Sequence, residues 1–190
     1  VEELGAADAQ VIAIATGTTA RRPALPGVDL PFVLESRDVL NGLVTPGRRV
    51  AIIAQDDHMP PLALADFLSA RGHAVTLIYG TNAPAILLGR YSIGAPLGRL
   101  DTRGVEIVTM QQVVGFAPGA VELRQVYSGR LSRRDGFDSV VLSCSGVSDT
   151  ALFDSLRKDR SDVHILGDAF APRRLVFATR QAYALARLLV

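Results

Sequence analysis

Asp56, Asp57 and His58 stand together ahead of a helical stretch, and two carboxylates beside an imidazole could ligate a divalent ion or pass a proton. The plainer reading, which we favour, is a helix N-terminus: acids suit the dipole there, and Pro60 and Pro61 suit the first helical positions. Asp168 follows Gly167 at the end of an apolar run, where a carboxylate can meet the hydroxyls of a ribose or ribityl chain, or cap the helix behind it. Gly17 ends another apolar run, at a place that calls for a special backbone conformation or a close approach. Arg173, Arg174 and Arg180 could meet a phosphate or a neighbouring domain, although a solvated helix face explains them as well. Cys144 follows a buried run with no base in view, so it reads as a small apolar residue rather than a nucleophile.

Composition removes several classes of function. A single cysteine excludes disulfides within the chain and an all-cysteine iron–sulphur site. The three histidines, His58, His73 and His164, have no ligand spacing between them. With 48% hydrophobic and 21% charged residues and a net charge of +1, the chain is a globular type with ample core, and nothing calls for nucleic acid or a membrane surface. No apolar run approaches membrane length. The sequence opens on Val1 without a signal peptide, and a strand-like run follows almost at once, so it reads as a piece of something longer.

These residues sit at the ends of alternating strands and helices. Ala9 to Ala15, Arg49 to Ala54, Ala74 to Tyr79, Val105 to Thr109, Phe137 to Ser143 and Val163 to Leu166 read as buried strands. Leu62 to Ala70, stopped by Gly72, and Leu175 to Leu189 read as helices, with shorter turns at Leu152 to Leu156 and at Ser36 to Leu40, the latter with Ser36 as N-cap. "RRPALPGVDLP" is a connection, and Ala85 to Leu100 is ambiguous because glycines at 89, 94 and 98 interrupt it. Val113-Val114, Ala120 to Tyr127 and Gly129 to Arg134 read as short antiparallel strands turning at Ser128-Gly129. The expected fold is α/β and Rossmann-like: a parallel sheet with helices, carrying a small antiparallel β-meander. "DAQVIAIATGTTA" and "FDSVVLSCSGVSD" repeat one pattern of acid, apolar run, small residues, glycine and polar residues, which suggests two dinucleotide-fold lobes.

The stretch Arg49 to Gly80 has the strand, turn, helix and strand of a dinucleotide site, whose turn normally reads GxGxxG and points a helix N-terminus at pyrophosphate. Here Asp56, His58 and Pro61 stand where the three glycines belong. A carboxylate about 4 Å from a phosphate charge is repelled by about 4 kcal/mol at an effective dielectric of 20. His58 adds bulk, and the two prolines delete amide donors. Tyr79-Gly80, at the end of the second strand, supplies neither an acid for a ribose hydroxyl nor an arginine for a 2′-phosphate.

"VIAIATG" and "VHILGDA" resemble the strand-to-loop and Gly-Asp motifs of flavoproteins with two dinucleotide-binding domains. More narrowly, "DDHMPPLALADFLSARGHAVTLI" and "GDAFAPRRLVFATRQAYALA" resemble the C-terminal half of the trimethylamine, dimethylamine and histamine dehydrogenases, which are relatives of 2,4-dienoyl-CoA reductase and N-methylproline demethylase-type proteins in the Old Yellow Enzyme family. The resemblance implies residues 1–45 and 160–190 as a partial FAD/ADP-type lobe and 46–159 as an inserted NAD(P)-type lobe with a degenerate turn. It implies Gly17, Gly167 and Asp168 as cofactor-binding positions, with no catalytic residue and no metal ligand in this stretch. The parent would be a cytoplasmic oxidoreductase of secondary or tertiary amines carrying FMN, a 4Fe–4S cluster and ADP or FAD, with none of these held by the fragment, which by itself would be colourless and inert. Implied partners are an N-terminal barrel of the same polypeptide and an electron-transferring flavoprotein, with homo-oligomerisation left open. The alternatives are an NADPH-dependent enoate or 2,4-dienoyl-CoA reductase, or a non-catalytic docking module.

Overall fold

The computed structural model describes residues 9–189. Val1 and the acid Asp8 of the first repeated pattern lie outside them. In chain order the elements are β1 (Ile12–Ile14), β2 (Thr18–Thr19), β3 (Val33–Glu35), α1 (Ser36–Leu40), β4 (Arg49–Gln55), α2 (Pro60–Ser69), β5 (Ala74–Tyr79), α3 (Arg90–Thr102), β6 (Glu106–Val108), β7 (Gln111–Ala117), β8 (Ala120–Gln125), β9 (Leu131–Asp135), β10 (Ser139–Cys144), β11 (Val147–Ser148), α4 (Ala151–Leu156), β12 (Val163–Ile165) and α5 (Leu175–Leu188). They form two compact units: residues 22–144, and, among the described residues, 9–21 with 145–189.

In the larger unit a parallel sheet runs β3-β10-β4-β5-β6. Its centre is buried on both faces, which is why β4 and β10 read as continuous apolar runs. The two-residue alternation of β4 sorts its side chains. Val50 and Ile52 face a cluster with Leu62, Ala65 and Leu68 of α2, while Ala51 and Ile53 face Val113, Val121 and Leu123 of the meander β7-β8-β9. Helices thus cover one face and an antiparallel sheet the other. The meander turns at Gly129, with φ +69°, as its sequence suggests. The arginine pair on β9 is a solvated face: Arg134 grips Glu106 through both terminal nitrogens at 2.7 and 2.8 Å, and Arg133 meets Asp135 at 2.7 Å.

Two local expectations are corrected. The cap of α1 is Glu35, whose carboxylate accepts the Arg37 amide at 2.5 Å, and Ser36 only donates its hydroxyl to that same carboxylate at 3.0 Å. A carboxylate one residue before the helix reaches the orphan amide that Ser36, already inside the helix, does not cap. The ambiguous stretch Ala85 to Leu100 resolves into a helix only from Arg90, as α3, which runs through Gly94, Pro96 and Gly98. Its hold is tertiary: Leu100 is fully buried, Ile93 and Leu97 pack on the helix-face cluster, and Asp66 of α2 accepts from Arg99 at 2.8 Å and from Arg103.

That ion pair makes a pH prediction. The Arg99 hydrogen bond holds the Asp66 carboxyl below its usual range, against the opposing effect of its burial, with Arg103 helping. A depressed carboxylate stabilises the fold above its unfolded pKa of about 3.9, and loses that contribution as pH falls through the lower folded value. Asp66→Asn should lower Tm by about 3 °C at pH 7 and by progressively less as pH falls below the unfolded pKa of about 3.9, as followed by thermal unfolding across that range.

The smaller unit pairs β1 with β12 in parallel, Ile12 opposite Val163 and Ile14 opposite Ile165. Ile12, Ile14, Val163 and Leu156 of α4 make its core. β2 and β11 add a two-residue antiparallel ribbon, and α5 has no buried residue. The sequence drew lobe boundaries at 45/46 and 159/160, whereas the units divide at 21/22 and 144/145. Val33 of β3 pairs with Val140 of β10, which draws the chain from residue 22 into the larger sheet, and β11 and α4 pack with β1, β2 and β12. No helix among the described residues is long and apolar enough to cross a membrane.

Candidate functional site

The sheet order places β4 between β5 and β10, so the topological switch point of the larger unit lies beyond the carboxyl ends of β4 and β10. There Gln55 and Cys144, paired in register, touch through a thiol-to-carbonyl contact of 3.5 Å. Asp56 closes the turn on His58, accepting the His58 amide at 2.9 Å and lying 3.0 Å from its Nδ1. Asp57 instead faces Thr81, its Oδ1 3.4 Å from the Thr81 hydroxyl oxygen. The three residues therefore do not converge, and among the described residues no three metal-ligating side chains gather anywhere. Pro60 and Pro61 occupy the first helical positions of α2, and Met59 contributes no side-chain cap. At this helix start Pro60 and Pro61 delete two amide donors, and the His58 amide is already used by Asp56.

The sequence marked Tyr79 only as lacking the acid that would hold a ribose hydroxyl. Tyr79 is fully buried at the end of β5, and burial first, then the Asp57 and Asp56 carboxylates, push its phenol well above the ordinary range.

In the smaller unit the register of β1 and β12 sends Thr16-Gly17 and Gly167-Asp168 off the same carboxyl edge. Gly17 has φ +81° with open space around it, so its requirement is conformational rather than a close approach. Gly167 has φ +61°, donates its amide to Gln181 of α5 at 3.0 Å, and would bring a side chain to 3.4 Å from Ala178. Asp168 accepts the Arg173 amide at 3.1 Å and so closes the loop before α5, whose cap is Arg174 rather than Asp168. The ribbon ties both loops together: the Thr16 hydroxyl donates to the Asp149 carbonyl at 2.7 Å, the Asp149 amide to Gly17 at 3.0 Å, and the Ser148 hydroxyl to the Asp168 carbonyl at 2.9 Å. Arg173 stacks near Phe177 and Phe170, at 5.0 and 5.7 Å. A cleft of about 910 Å³ runs along β12, lined by Phe153 and Arg157 of α4, by all of Val163 to Leu166, and by Gln181 and Leu185 of α5. Among the described residues β12 has β1 as its one strand neighbour.

No family profile matches the chain. Dimethylamine dehydrogenase of Hyphomicrobium sp. (strain x) is 28% identical to it, across 86% of this chain and 26% of that protein. The structure of 6-hydroxypseudooxynicotine amine oxidase from Pseudomonas geniculata matches with a TM-score of 0.81 at 25% identity, covering 90% of this chain and 28% of its own. Histamine dehydrogenase from Rhizobium sp. 4-9 matches with a TM-score of 0.80 at 27% identity, covering 92% and 30%. The chain therefore spans less than a third of the length of these relatives. Thioredoxin reductase of T. acidophilum, 17% identical with a TM-score of 0.66 over 85% of this chain and 58% of its own, shares the fold. The chain is a homologue of dimethylamine dehydrogenase across about a quarter of that protein's length, on the fold of the FAD/NAD(P)-binding flavoprotein reductases.

Proposed function

We propose that these residues belong to a flavin-dependent oxidoreductase of secondary or tertiary amines, in which they serve as a structural or ADP-binding platform rather than as the catalytic centre. The homology to dimethylamine dehydrogenase along 86% of the chain carries this reading. A flavin held in the parent's barrel would take electrons from the substrate. A 4Fe–4S cluster would have to be held elsewhere in the parent, since Cys144 is the only thiol here.

The smaller unit suits an ADP or FAD moiety in its residue types. Gly17 and Gly167 hold positive φ at one strand edge, and the Asp168 carboxylate, only partly buried, accepts a single backbone amide among the described contacts. Asp168 would then accept from a ribose or ribityl hydroxyl, while the two glycines let the backbone turn beneath it. The edge of β12 and the cleft beside it suit a further strand from the same polypeptide, as part of the lobe that completes this half.

In the larger unit the altered turn removes the pyridine nucleotide, so electrons need an exit other than NADP⁺. A cluster and then a protein acceptor such as an electron-transferring flavoprotein supply it in this reading. The test is anaerobic mixing of the full-length parent with dimethylamine or trimethylamine, and separately with NADPH. Bleaching of the flavin absorption by an amine is expected. Rapid bleaching by NADPH with no response to any secondary or tertiary amine would replace this reading with an enoate reductase.

A further inference from the structure

In the larger unit the segment after β5 is tied to the turn between β4 and α2. In this fold the adenosine ribose lies beyond the carboxyl end of the second strand, here β5, which closes on Tyr79 and Gly80. The chain leaves at Thr81 and doubles back towards the turn between β4 and α2. The Leu87 amide donates to the Asp57 carbonyl at 3.1 Å, and the Thr81 hydroxyl donates to the Ala83 carbonyl at 2.9 Å. Ala85 is driven inward until it is fully buried, in one cluster with Leu64, Leu77 and Tyr79, and Leu88 packs against the same cluster. The Ala85 backbone lies beside the Tyr79 hydroxyl. Ala85 adopts this position at φ 49°, a left-handed conformation that disfavours any residue with a Cβ, so the inward turn is imposed by packing rather than by local preference. Ile86 and Leu87 on either side of the tie remain 47% and 58% exposed.

We propose that residues 81–88 are an intramolecular plug that fills the adenosine end of this unit's dinucleotide crevice and caps Tyr79, with the Leu87–Asp57 hydrogen bond as its latch. The unit is then closed to dinucleotides twice, by a turn without glycines and by its own chain. Because the plug is covalently attached, it competes with any free nucleotide, whose apparent affinity falls by the fraction of time the crevice stands open. The plug does not depend on the amine reading and would hold in a parent of any activity.

Tyrosine nitration of the 190-residue chain tests it, because the four tyrosines divide cleanly. Tyr91, Tyr127 and Tyr183 are 89%, 81% and 66% exposed, whereas Tyr79 is fully buried. In the wild type Tyr79 should react about 100-fold more slowly than Tyr91, as local opening would govern its access. Leu87→Pro removes the amide of the latch from an exposed side-chain position and should narrow that gap to about 10-fold or less, with the amides of β4 and β5 still protected from hydrogen exchange. Leu87→Ala keeps the amide and should spare Tyr79 as the wild type does. Nitration of wild-type Tyr79 as fast as Tyr91 would overturn the plug, and this result does not depend on any variant folding. So would a folded Leu87→Pro chain in which Tyr79 stays as protected as in the wild type.

Discussion

Gly27→Ala should destabilise the larger unit by about 3 kcal/mol, a large part of the 5–15 kcal/mol that holds an ordinary domain together. Gly27 sits in the proline-rich connection with φ +74°, and a Cβ there would lie 2.1 Å from the Phe116 carbonyl oxygen and 2.9 Å from its carbon. Those atoms belong to the backbone of β7, which cannot swing aside as a long side chain can. Left-handed backbone costs an L-residue about 1–2 kcal/mol. Relieving the collision means pulling the connection off the meander, where the Phe116 amide donates to the Pro26 carbonyl at 2.8 Å, and a buried group left unpaired costs about 1–3 kcal/mol more. Gly129→Ala is the control, since Gly129 has φ +69° with nothing within 4 Å of the added carbon. It should pay only the conformational cost, about 1 kcal/mol. Urea unfolding of the two variants separates the contributions, and equal losses would show that the close approach to β7 carries no weight.

The connection around Gly27 illustrates what the sequence made legible and what it did not. Three prolines and a glycine correctly ruled out regular structure over "RRPALPGVDLP", but nothing local shows that the segment is pinned to a strand some ninety positions later in chain order. The central strands were legible because burial on both faces leaves an unbroken apolar run, as in "VAII" of β4 and "SVVLS" of β10. The strand β5 was legible to the residue, from β-branched Val75, Thr76 and Ile78 ahead of Gly80. The helix α3 was not, since Gly94, Pro96 and Gly98 argue against it and its support comes from Asp66 on another helix. Ala85 is the same kind of miss: "TNAPA" carries turn signals, and only the packed structure turns the alanine inward. In the smaller unit the glycines and Asp168 could be placed at strand ends from sequence. Their gathering on one edge depends on the pairing of β1 with β12, a contact about 150 residues long in sequence separation.

On this reading the larger unit keeps a dinucleotide fold without binding a dinucleotide. Asp56, His58 and Pro61 hold the glycine positions, Asp56 and His58 bond to each other, and the two prolines leave α2 short of amide donors. A repulsion of about 4 kcal/mol from the carboxylate alone corresponds to roughly a thousandfold in Kd. A glycine turn that binds at about 1 μM would, with this carboxylate alone, bind at about 1 mM. Calorimetric titration of the 190-residue chain with NADH and with NADPH is the most direct measurement. No saturable heat is expected for either nucleotide up to about 1 mM. A dissociation constant in the low micromolar range for either one would contradict this reading.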